Sequence, residues 1–217
     1  MRGKPRETST LFNMVDGIFA VAVTLIPISI PNHFLDINGQ ELLLLNVSIM
    51  VTGLTMALMW HKLRSILEIS SPVNSIELAL VAIVCILVVM IPKCAFLAFK
   101  YGSAPASIWH WNTSQSVNIE YEGLIVIYEL IALTLMASGL RKKSAAKYTN
   151  FELRGFMAVE LTGLTLIGII VLFENIFIGA DGVYIYLFPA VLALEEFGYI
   201  QVNKKSERKA STNQLPS

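Results

Sequence analysis

The chain has 217 residues, of which 55% are hydrophobic and only 15% charged, with a mean hydropathy of +0.64. Soluble domains carry about 25% charged residues, so this composition argues against a soluble globular protein and for an integral membrane one. Its 16 basic and 16 acidic residues sum to a formal net charge of zero, and no nucleic-acid partner is expected. The charges are nevertheless sorted along the chain.

Six apolar stretches follow one another, each about as long as a helix needs to cross a hydrocarbon core of ~30 Å at ~1.5 Å per residue. The first runs from about Leu11 to Ile30 and the second from about Glu41 to Lys62. The third spans roughly Ser75 to Phe99, the fourth Glu120 to Leu140, and the fifth Gly155 to Phe177. The sixth covers roughly Gly182 to Val202, so that only Ile178–Asp181 separates it from the fifth, as in a tight antiparallel hairpin. None alternates with period two, which sets aside a transmembrane barrel. Asp16 within the first stretch, with no small-residue cleavage site after it, sets aside a signal peptide. Cys85 and Cys94 stand nine apart in one helical stretch, too far for a disulfide, and read as buried thiols.

Basic residues appear at both ends and at every second connection. Arg2, Lys4 and Arg6 precede the first stretch, Lys62 and Arg64 follow the second, and Arg141, Lys142, Lys143, Lys147 and Arg154 follow the fourth. Pro31–Gln40, Tyr101–Val117 and Ile178–Asp181 contain neither Lys nor Arg. By the positive-inside rule, both termini are then cytoplasmic and the chain is all-α with six transmembrane helices. Residues 1–203 form one membrane domain; residues 204–217, rich in Ser and Lys, form a polar, disordered cytoplasmic tail. Trp109, His110 and Trp111 in the longest outer connection read as interfacial anchors, and Asn112-Thr113-Ser114 is a glycosylation sequon. No metal site or cofactor is expected.

Ionisable groups inside a bilayer are costly, so each needs an account. Asp16 lies near the cytoplasmic end of the first helix. Glu129 on the fourth helix and Lys93 on the third fall within about one turn of the same depth, and a buried structural pair is expected between them. Glu160, Glu195 and Glu196 occupy the cytoplasmic halves of the last two helices, where inner arginines and lysines can meet them. Pro27, Pro92 and Pro189 fall within helices and can kink them.

The run Phe12-Asn13-Met14-Val15-Asp16-Gly17-Ile18-Phe19-Ala20-Val21-Ala22-Val23-Thr24-Leu25 resembles the opening helix of the transmembrane protein 175 potassium channels. That family carries Arg-x-x-x-Phe-Ser-Asp there, then a small residue and an apolar run of the type Phe-Ala-Ile-Ala-Ile-Thr-Leu-Leu. Asp16 through Leu25 match closely, whereas Thr10, Met14 and Val15 stand where Arg, Phe and Ser are usual. Trp60-His61-Lys62-Leu63 is similar to the family's Trp- and His-bearing end of the second helix. The resemblance implies a six-helix unit in the cell membrane, a homotetramer, and a passive, weakly selective potassium channel whose pore is lined by the first helix.

At about 100° per residue, Val21, Thr24 and Ile28 share a stripe within about 60°. They match the family's pore-lining positions: an apolar constriction, a hydroxyl ring and a second apolar ring. Asp16 lies about 140° from Val21, facing a neighbouring helix, and the resemblance implies that it bonds His61 or Trp60 in a packing and gating network. Lipid contact or core packing accounts for the same stripe, and Ala20-x-x-x-Thr24 is a small-residue pair that lets helices approach closely. Two other functions compete with a channel: a secondary transporter, and a non-conducting scaffold or regulatory subunit. No hydrolase or metalloprotease motif is present, and an enzyme is not expected.

Overall fold

The computed structural model describes residues 6–28, 39–101, 113–142, 150–176 and 187–212. Side chains near several helix ends fall outside the description as well. The described residues are all-helical: α1 (Arg6–Ile28), α2 (Gly39–Ser70), α3 (Ser75–Tyr101), α4 (Thr113–Arg141), α5 (Asn150–Ile176) and α6 (Leu187–Thr212). Three of them contain stretches long and apolar enough to cross a membrane, Ser75–Ala95, Ile119–Arg141 and Phe151–Phe173, and α1 holds a shorter apolar stretch, Thr10–Ile26.

Several helix boundaries differ from those expected. The second helix does not end at Lys62 but continues to Ser70, so Lys62 and Arg64 belong to a helix and not to a connection. Its apolar period continues past them through Leu63, Ile66, Leu67 and Ile69, all buried. The expected disordered tail is helical as far as Thr212. The last helix starts at Leu187, so Pro189 lies in its first turn, where a missing N–H removes no helical bond. Pro92 is inside α3. Trp109 to Asn112, expected in an outer connection, and the expected hairpin at Ile178–Asp181 lie outside the described residues.

The helix α2 is the hub, packing against α1, α3, α4 and α6; α1 rests on α2 and α3, and α5 on α4 and α6. On α2 the buried positions Ser48, Thr52, Thr55, Met59, Lys62, Ile66 and Ile69 recur every three or four residues. The two threonine hydroxyls among them are satisfied by their own helix: Thr52 donates to the Ser48 carbonyl at 2.8 Å and Thr55 to that of Val51 at 2.8 Å. A capping box starts α3, with Asn74 Oδ1 accepting from the Glu77 N–H at 2.9 Å and Glu77 Oε2 from the Asn74 N–H at 2.7 Å. Ser138 also donates to Glu77, at 2.5 Å, and Lys142 pairs with it, tying the end of α4 to this corner.

The pair α5–α6 runs antiparallel and in close contact. A Cβ on Gly155 would sit 2.8 Å from Val202 Cγ1, and one on Gly198 2.9 Å from Val159 Cγ2. A methyl at either position would force the facing valine to shift.

Candidate functional site

One turn of α2 positions most of the polar chemistry. Trp60 and Arg64 are about 40° apart on the helix, while Lys62 is about 200° from Trp60. Trp60 and Arg64 therefore reach α1, and Lys62 reaches the opposite side.

On the α1 side, Trp60 Nε1 donates to Asp16 Oδ1 at 2.7 Å, and Arg64 Nη1 lies 3.3 Å from Asp16 Oδ2. The Arg64 guanidinium stacks between two rings, 5.7 Å from that of Phe12 and 5.7 Å from that of Trp60. Of the two partners expected for Asp16, the contact is with Trp60. His61 turns to α6 instead, with Nδ1 2.9 Å from Glu196 Oε2.

On the other side, Lys62 is wholly buried among carboxylates from three helices. Its Nζ lies 2.5 Å from Glu129 Oε2 on α4, 2.7 Å from Glu195 Oε2 on α6 and 3.1 Å from Glu160 Oε2 on α5. Tyr199 donates its hydroxyl to Glu160 Oε1. The Tyr128 ring stands 5.9 Å from Lys62 Nζ, and its hydroxyl donates to the Met59 carbonyl at 2.7 Å. A buried charge survives only when paired, and the ammonium draws α4, α5 and α6 onto α2.

The expected pair between Lys93 and Glu129 is not formed. Lys93 is exposed, on the outer line of α3 with Ile83, Ile86 and Met90, while Ile91, Cys94 and Ala95 face inward. Equal depth fixes only height along the bundle and not direction around a helix. Lys62 is the functional candidate that the sequence reading missed, because a lysine at the end of an apolar stretch was counted with the connection. The buried residues after it are the signal that places it inside the helix.

On α1, Leu11, Val15, Phe19, Ala22 and Ile26 are buried, and the opposite face is open. Val21 is 55% exposed, Thr24 is exposed beside it, and a Cβ on Gly17 would meet nothing within 4 Å. Thr24 Oγ1 donates to the Val21 carbonyl at 2.7 Å. Ile28 ends the helix, and its side chain lies outside the description.

Compared with protein-family models, curated proteins and solved structures, the chain matches none.

Proposed function

We propose that this is a six-span protein of the cell membrane, with both ends cytoplasmic, and that four copies form a passive, weakly selective potassium channel. The apolar helices support the spanning arrangement, as do the basic residues near both ends of the chain and between α4 and α5, with none in Pro31–Gln40, Tyr101–Val117 and Ile178–Asp181. The observation that carries the pore is the unpacked face of α1: Val21 and Thr24 point away from their own chain, while the opposite face is anchored through Asp16 to α2. Four such faces around an axis place a ring of Val21 side chains, which gates by dewetting or strips water from a cation. The Thr24 hydroxyl spends its proton on the Val21 carbonyl. Its oxygen lone pairs are then left as acceptors for a partly dehydrated ion. A side-chain ring lacks the stacked carbonyls of a conventional potassium filter, hence weak selectivity. The resemblance of the first helix to the transmembrane protein 175 channels supports the same reading.

Potassium flux into liposomes holding the purified protein tests it. A passive, non-saturating flux that changes in V21A and in T24A is expected. Absence of flux with folded, oligomeric protein would point to a scaffold, and saturable coupled flux to a secondary transporter.

A further inference from the structure

Glu129, Glu160 and Glu195 come from three helices, yet each offers a carboxylate oxygen within 4.8 Å of the others. Oxygens so spaced can share one ion near the calcium–oxygen distance of about 2.3–2.6 Å. The socket already accommodates a cation, since the Lys62 ammonium lies 2.5, 2.7 and 3.1 Å from Glu129, Glu195 and Glu160. With all four groups ionised, three carboxylates and one ammonium sum to −2, and a divalent cation in the place of the ammonium lowers that excess to −1.

A second observation is independent of the clustering. Glu129 and Glu195 are 0% and 3% exposed, and among the described residues neither Glu129 Oε1 nor Glu195 Oε1 has a hydrogen-bond partner. Buried acceptors are rarely left so. Glu195 also forms part of the wall of a cavity of about 280 Å³ between α5 and α6, with Thr162, Gly163 and Gly198. Its free oxygen lies over Gly163, where a Cβ would come within 1.4 Å. The α5 residue without a side chain is therefore what admits the carboxylate to this position.

We propose that Glu129, Glu160 and Glu195 form a binding site for a divalent, oxygen-preferring metal cation of the calcium or manganese class, with Lys62 as the built-in competitor. An all-carboxylate donor set suits such hard cations and disfavours zinc or copper, which favour nitrogen and sulfur ligands. Because four helices meet at the site, exchange of Lys62 for a metal alters the seat of α2, the helix that also holds Asp16.

The test is titration of the purified full-length chain in detergent with manganese(II), read by loss of the free-ion paramagnetic resonance signal. One ion per chain is expected, with affinity about tenfold or more weaker in E195Q and weaker in G163A, whose Cβ displaces Glu195. K62M is expected to bind about tenfold or more tighter, since the competing ammonium is gone. Absence of binding in both wild type and K62M, or an E195Q affinity equal to wild type, would overturn the proposal. Should K62M not fold, wild type against E195Q and G163A decides alone. None of these readouts is ion flux, so this site and the α1 pore can fail separately.

Discussion

Two polar clusters hang on the same turn of α2 in different surroundings. Asp16, Trp60 and Arg64 form a half-exposed triangle at the edge of the bundle, whereas Lys62 and its three glutamates are sealed inside it. In the triangle, water or headgroups can replace a lost partner. In the buried centre no water or headgroup is at hand to replace it, and removing Lys62 leaves three carboxylates facing one another. The edge cluster is suited to adjust, the buried one to hold.

The variant that separates the two most sharply is Lys62→Met. It strands three buried carboxylates and is expected to cost about 3–5 kcal/mol, read as a loss of thermal stability in detergent that manganese(II) partly restores. Tyr199→Phe removes the donor to Glu160 Oε1 and should cost about 1–3 kcal/mol by the same assay. Trp60→Phe breaks the bond to Asp16 at a half-buried position, with about 1 kcal/mol expected. Arg64→Ala is the mildest, at about 0–1 kcal/mol. Equal losses for Lys62→Met and Arg64→Ala would erase the distinction between the two clusters.

The shared side of Val21 and Thr24 on α1 was legible in the sequence, because helical spacing alone fixes which residues lie together. So was the direction of Asp16 relative to Val21, which follows from residue angle alone. The partner of Glu129 was not legible. Lys93 and Lys62 both stand in apolar stretches, and the choice between them depends on which way each helix is rotated. Rotation is set by packing: Ile91, Cys94 and Ala95 turn inward and carry Lys93 outward, while Met59, Leu63 and Ile66 carry Lys62 inward. The helical stretch after Val202 was hidden for another reason. Its sequence is polar, with Lys204, Lys205, Ser206, Arg208 and Lys209, yet a helix continuing from a packed segment needs no new nucleus.

The outward face of α1 is the feature on which the functional reading stands. Its most direct test is Val21→Cys in a background with Cys85 and Cys94 replaced, recorded in planar bilayers with potassium as the permeant cation. A cationic thiol reagent should reach the substituted position 21 from the aqueous phase and block the current, while the same reagent on Ile86→Cys, on the outer face of α3, leaves it unchanged. A potassium current that persists in Val21→Cys after the reagent, with labelling of Ile86→Cys and Val21→Cys equal, would contradict a pore lined by α1.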